Sequence, residues 1–250
     1  MNIIACVKRV PTTDAEVRFK ADASGLETDS LPYMISFYDE IALEQAVLTK
    51  EALGGEVTAL SLGPASGSKE IRECLAKGAD KAVILTDDEW MSSDCHATAK
   101  RLAAAIGELD AQLVFMGRVA TDRDNAAVGP MCATYLGWAC VSGVIEMECG
   151  EDKGTAKVET ENGIETVEFS LPAVITCNKG LNTPRYAGLK GIMAAKKKPL
   201  EEQAPAEADG QAVLSTVIAP PARPEGRIVG TGAEAIPALI DALRNEAQVL

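Results

Sequence analysis

Residues able to do chemistry are sparse along most of this chain and concentrated in one stretch. His96 is the only histidine among 250 residues, and the seven cysteines (Cys6, Cys74, Cys95, Cys132, Cys140, Cys149 and Cys177) include no C-x-x-C pair. Cys95 stands beside His96, but neighbours on a helix point in different directions and cannot easily share a metal. A serine or cysteine triad would need His96 as its base, and no G-x-S-x-G pattern supplies the nucleophile elbow. The scattered, odd-numbered cysteines read as small buried hydrophobes in a reducing compartment. The concentration lies in Gln112 to Trp138. There the apolar run Leu113 to Met116 ends at Gly117, and Thr121, Asp122, Asp124 and Asn125 follow, residue types that cap helices and turn the backbone. Val128, Met131, Tyr135 and Leu136 then recur at three- and four-residue spacing. Such a strand, loop and helix N-terminus presents unpaired N–H groups and a helix dipole, which favour an anion such as phosphate. The same pattern also suits an ordinary βα turn.

The elements around that stretch must position it. Asn2 to Val7 is apolar enough for a central parallel strand buried on both faces. Glu16 to Lys20, with Gly25 after it, suggests a small hairpin leaving the strand end. Asp39 is the expected N-cap of a helix over 40–52 with Ile41, Ala42, Ala46, Leu48 and Leu53 inward, stopped by Gly54-Gly55. Strands over 56–62, 82–85 and 113–116 alternate with helices over 69–77 and 92–109, a grammar that implies right-handed crossovers and a parallel sheet. After Trp138 the pattern changes to strands over 141–149, 156–160, 165–171 and 173–177, with Asn162-Gly163 as a hairpin signal. The fold class expected is therefore α/β, a doubly wound and mostly parallel sheet with antiparallel additions. Residues 1–199 are expected to make this α/β domain. One or two helical turns over 189–195 precede the basic run Lys196 to Lys198, whose commonest meaning is a solvated turn. From Leu200 to Gln211 large apolar residues almost vanish, so 200–250 is expected to be an arm: a linker, an edge strand over 213–218, an extended stretch over 220–224 and a helix over 233–247.

The formal charge of −13 argues against non-specific binding to nucleic acid or to an anionic membrane surface. The apolar run before Lys8 and Arg9 is too short for a secretory signal, and no stretch approaches a membrane span, so a cytoplasmic protein without membrane insertion is expected.

Several motifs together are specific enough to carry a resemblance. Leu171 to Lys198 reads LPAVITCNKGLNTPRYAGLKGIMAAKKK, and it is joined by VKRVPTTDAEVRF near the start, DEIALEQAV, ALSLGPA, CLAKGAD and a G-x-x-A-x-D-x-D loop from Gly117 to Asp124. In this order they resemble the beta (small) subunit of electron-transfer flavoproteins over essentially the whole length. The resemblance implies an adenine nucleotide alpha hydrolase-like fold and a heterodimer with an alpha subunit that holds a redox-active FAD. Electrons would come from acyl-CoA-type dehydrogenases, or from NADH in a bifurcating form, and pass to a quinone or ferredoxin oxidoreductase. It further implies a nucleotide site in this chain at Cys6, at Ser36, Phe37, Tyr38 and Asp39, at Leu62, and along Ala120, Thr121, Asp122, Arg123, Asp124, Asn125, Ala126, Ala127, Val128, Gly129, Pro130 and Met131. Residues 181–198 resemble the loop that docks partner dehydrogenases, with Leu189 as its anchor and Arg185 and Tyr186 beside it, and the arm from residue 200 would contact the alpha subunit.

Members that only relay electrons hold AMP in the beta chain, whereas bifurcating members hold a second FAD and tend to end the loop in A-x-V-G-P. Asn125 to Pro130 reads N-A-A-V-G-P and so leans toward FAD, with AMP as the alternative. Arg123, where bifurcating members tend to have glycine, and Ser36-Phe37, in place of Asn-Pro, are departures. A separate reading, an adenine-nucleotide enzyme or sensor of the same wider fold, would want S-G-G-x-D-S after the first strand, where Cys6 to Pro11 stands instead.

Overall fold

The computed structural model describes residues 1–28, 31–223 and 225–250, which fall into two compact units, Met1–Thr216 and Val217–Leu250. In the first unit, β1 (Asn2–Cys6), β4 (Glu56–Gly63), β5 (Lys81–Thr86) and β6 (Leu113–Gly117) are buried along nearly their whole length, as continuous apolar strands must be when helices cover both faces. Adding β7 (Ala139–Cys149), β8 (Lys153–Thr160), β9 (Gly163–Ser170), β10 (Ala173–Cys177) and β11 (Leu200–Gln203) gives, among the described residues, a nine-stranded sheet in the order β11-β5-β4-β1-β6-β10-β7-β8-β9. All neighbours from β11 to β7 run parallel, and β8 and β9 are antiparallel. The α/β, mostly parallel expectation holds.

Successive residues of β1 point to opposite faces and so join different cores. Ile3 and Ala5 pack beneath α1 (Phe37–Leu53) and α2 (Ser68–Lys77), while Ile4 and Cys6 pack beneath α3 (Cys95–Glu108) and α4 (Val128–Leu136). Strand order reverses between β1 and β6, because β4 and β5 lie to one side of β1 and β6 to the other. The carboxyl ends of β1 and β6 therefore flank a topological switch point, where such sheets open a crevice.

Several local expectations change. Ser36, not Asp39, stands at the N-cap of α1, and Asp39 lies buried within the first turn. The stripe of α1 that meets the sheet is Ile41, Ala42, Leu43, Ala46 and Val47, leaving Leu48 38 % exposed. In α4 the buried residues are Gly129, Cys132 and Ala133, small side chains that let the helix approach the sheet, while Met131 and Tyr135 face outward. The early hairpin is a single bridge between Phe19 and Leu26. The extended pair there is β2 (Arg9–Pro11) with β3 (Tyr33–Ile35), a small antiparallel sheet of its own. The β8–β9 turn comes one residue earlier than the Asn162-Gly163 pair suggests, since Gly163 itself pairs with Thr160 at φ 133°.

The polar stretch after Pro199 is not linker from its first residue. Leu200 to Gln203 pairs in parallel with Ala82 to Leu85 and forms the sheet's edge, with Thr86 Oγ donating to the Gln203 carbonyl at 3.1 Å. The edge strand expected over 213–218 is absent, and the β5 edge is already taken by β11. In the second unit, residues 220–223 are irregular, and Pro224, the end of the expected extended stretch, lies outside the described residues. The terminal helix is broken into a 3-10 turn (Ala233–Ala235), α6 (Ile236–Asp241) and a wider π turn (Ala242–Glu246). No described helix is long and apolar enough to cross a membrane.

Candidate nucleotide site

The site is assembled from the ends of β1 and β6 and braced by the N-terminus of α1. Asp39 is the centre of that brace: one carboxylate oxygen accepts the Lys8 N–H at 2.8 Å and the other the Gly117 N–H at 2.9 Å. Burial pushes the Asp39 carboxyl up to about 7, against the pull of these two N–H donors and of the Lys8 charge. Ser36, fully buried, accepts the Thr121 N–H on its Oγ at 3.4 Å, and the Lys8 ammonium donates to both oxygens of Asp122 at 2.8 and 2.7 Å. Gly117 permits the arrangement, because a Cβ there would collide with the Asp39 carboxylate and the Tyr38 Cβ. The polar residues of this region thus fasten the β1 and β6 ends and the following loop to α1.

The loop then bends. Arg123 and Asp124 donate their N–H groups to the Ala120 carbonyl at 3.1 and 2.9 Å, and Asp124 and Ala126 take positive φ of 50° and 52°. Ala126 and Ala127 are therefore adjacent residues in left- and right-handed conformation, the backbone form that turns successive N–H groups inward as an anion nest. The first carbonyl-bonded N–H at the start of α4 is that of Met131, to Ala127 at 3.1 Å, and no side chain caps the helix. The Val128 and Gly129 N–H groups precede it, and Pro130 has none to offer, so the helix start keeps two donors and the positive dipole end for a ligand. Gly129 has a packing reason of its own: a Cβ there would lie 2.5 Å from Thr176 Cγ2 on β10.

A pocket opens at this junction. Of the residues singled out from sequence, Cys6, Asp39, Leu62, Ala120, Asp122, Arg123, Asn125, Ala126, Ala127, Val128 and Gly129 line it, whereas Ser36, Phe37, Tyr38, Thr121, Asp124, Pro130 and Met131 do not. Ser36 and Thr121 hold the loop from behind, and Phe37 is 41 % exposed and stacks edge-on against Tyr38. Sequence reasoning missed the opposite wall, which comes from the β5–α3 connection and from α3: Trp90, Met91, Ser93, Asp94, Cys95, Thr98 and Leu102. Its signal was present, since β5 is another parallel strand whose carboxyl end faces the same crevice. Asp94 caps α3, accepting the Ala97 N–H at 2.8 Å, and also accepts the N–H groups of Gln211 and Ala212. Burial opposes its charge, but these three donors outweigh burial and hold its carboxyl below the usual range. The pocket is apolar at Leu60, Leu62, Trp90, Leu102 and Met116 and polar at the start of α4, which suits a planar ring system carrying a phosphate.

Comparison with known proteins decides the family. The family model described as "Electron transfer flavoprotein domain" matches residues 25–208. The chain belongs to the electron-transfer flavoprotein family, as a beta subunit. It is 33% identical to the electron transfer flavoprotein subunit beta of Bacillus subtilis, over all of both chains. It is 40% identical to that of Thermoanaerobacterium thermosaccharolyticum over 79% of this chain and 76% of the other. A protein of Acetobacterium woodii named caffeyl-CoA reductase-Etf complex subunit CarD is 37% identical over 80% of this chain and 77% of its own. As a beta subunit, the chain works in electron transport with an alpha subunit of the same family.

The beta subunit's other segment of interest, residues 181–198, lies away from the pocket against α1 and α2. Asn182 donates to the Ile41 carbonyl at 3.0 Å, and the Arg185 guanidinium is gripped by Glu44 and Glu51 at 2.7–3.0 Å, which raises its pKa further. Arg185 is therefore engaged within the chain. Lys198 is not a solvated member of a basic run. Its ammonium donates to the Leu75 and Ala79 carbonyls at 3.0 and 2.6 Å, at the end of α2, and burial lowers its pKa. Tyr186 and Leu189, by contrast, are 97 % and 78 % exposed, with Leu189 opening α5 (Leu189–Ala195).

Proposed function

We propose that the pocket of this beta subunit binds FAD, as a second flavin beside the one its alpha subunit carries. The observation that carries the reading is the loop Asn125 to Pro130, whose Asn125 to Gly129 line a pocket that also takes in apolar Leu60, Leu62, Trp90 and Leu102 and polar Arg118 and Arg123. When bound, the flavin supplies the redox chemistry. The chain's own residues bind and orient it: the start of α4 meets phosphate, the Asp39 brace fixes the loop, and Trp90 and Leu102 keep water from the apolar end. A second reading is AMP, favoured by Arg123, a bulky lining side chain that bonds to the Met91 and Ser93 carbonyls of the facing wall.

Residues 181–198 dock a partner oxidoreductase of the acyl-CoA dehydrogenase, quinone or ferredoxin-linked kind, with Leu189 as the inserted anchor. Residues beyond the sheet, from 204 on, contact the alpha subunit. Acid extraction of the purified heterodimer with chromatographic counting tests the cofactor: two FAD and no AMP per heterodimer is expected, and one FAD with one AMP overturns it in favour of the second reading. A two-flavin preparation is then treated with NADH, and bleaching of flavin absorbance marks the bifurcating type.

A further inference from the structure

The pocket lies between two connections, residues 87–94 after β5 and residues 118–127 after β6, and Arg123 is the side chain that spans them. Its guanidinium donates to the Ser93 carbonyl at 3.2 Å and to the Met91 carbonyl. A second, weaker link runs beside it, from the Asn125 amide to Cys95 Sγ at 3.1 Å. The far side of this bridge is itself held in place, since Arg101 donates to Asp87 at 2.7 Å and to Ser93 Oγ at 3.0 Å. Arg123 thus reaches from one well-anchored wall to another.

We infer that Arg123 is a retention clamp: it straps the nucleotide loop to the opposite wall and slows release of whatever nucleotide the pocket holds. The inference rests on the nucleotide reading above but is indifferent to FAD or AMP. Its physical basis is the partner type. Two backbone carbonyls two residues apart on one segment suit the planar, multi-donor fork of guanidinium, and a lysine ammonium on its flexible stem cannot hold both in the same fixed geometry. Hydrogen bonds from a charged donor are among the stronger ones, so losing the pair is expected to speed release by about tenfold or more, allowing for the exposure of the side chain. Because the acceptors are neutral, the bridge should respond little to salt, unlike a charge attracting phosphate at the mouth.

The test uses the full heterodimer with Arg123→Ala and Arg123→Lys. Nucleotide retained after timed gel filtration, at low and at high salt, is counted by extraction, and amide exchange is followed over residues 88–95. A clamp predicts about tenfold faster loss from both variants, little salt dependence, and faster exchange over 88–95. Rescue by lysine, with loss that grows with salt in the wild type, would show an electrostatic role and overturn the clamp. Unchanged retention and exchange in Arg123→Ala would overturn it too. Absence of any nucleotide beyond one FAD in the wild-type heterodimer would instead sink the nucleotide reading, and the exchange over 88–95 would still report on the bridge itself.

Discussion

Two connections in this beta subunit use the same construction and present opposite surfaces. The stretch from Gly117 to α4 and the stretch from Asn182 to α5 each lead into a short helix seated through a glycine, Gly129 against Thr176 and Gly191 against the Ala76 carbonyl. Each is fastened by charged side chains to α1, at Asp39 in the first case and at Glu44 and Glu51 in the second. In the first stretch the fastenings draw the loop inward and leave N–H groups facing a crevice. In the second they fix the backbone while Tyr186, Leu189, Ile192 and Met193 stand in solvent. Apolar area of that kind is unfavourable in water unless something covers it. A rigid concave site suits a small ligand, and a rigid apolar projection suits a protein pocket.

The largest expected effect separates the two regions by stability. Asp39→Ala leaves the part-buried N–H groups of Lys8 and Gly117 without their acceptors, and we expect a loss of about 2 kcal/mol in denaturant unfolding of the heterodimer together with reduced nucleotide content. The pH dependence has a definite sign. Because the folded-state pKa of Asp39 lies near 7, above its ordinary value, the folded protein binds the extra proton between roughly pH 4 and 7. The stability this contributes is full below that window and lost as pH rises through 7. Asp39→Asn should flatten this part of the stability–pH curve, and a mutant with the wild-type slope would contradict the assignment.

Close to it in size is Gly129→Ala, where overpacking against Thr176 should cost about 2 kcal/mol and tilt the start of α4. A matched Gly188→Ala, whose Cβ would meet nothing within 4 Å, should cost far less. Equal losses measured for the two by thermal unfolding would show that Gly129 is not held by packing. The smallest effect on stability is expected from Leu189→Ala, within about 0.5 kcal/mol for an exposed side chain, with flavin and nucleotide content unchanged. Its effect appears only with a partner present, as at least a roughly tenfold drop in electron transfer. Unaltered transfer would remove Leu189 from the docking surface.

Much of this was legible in the sequence because it depends on local pattern. Apolar runs marked β1, β4, β5 and β6, alternation with helices gave the parallel sheet, and turn-forming residues after Gly117 marked the loop. Where the sequence reading failed, the deciding contact was distant in the chain. Asp39 looks like a cap because it precedes a helix, yet its partners are at Lys8 and Gly117. Leu200 to Gln203 looks like linker because it is polar, yet the free edge of β5 offers it a ladder of hydrogen bonds that needs no apolar side chains. The wall at Trp90 to Cys95 went unread because its loop has no motif, only a position across the crevice.

The sequence by itself determined the fold class, the family and the place of the strand, loop and helix junction after Gly117, since periodicity and motif order are properties of neighbouring residues. Only the tertiary structure decided what the individual side chains do there: Asp39 braces, Gly129 makes room for Thr176, Arg185 is spent on α1 and Arg123 bonds to the Met91 and Ser93 carbonyls. Each of these depends on which atoms meet after the strands have been ordered β4-β1-β6-β10, an outcome of burying both faces of the sheet at once that no local pattern encodes.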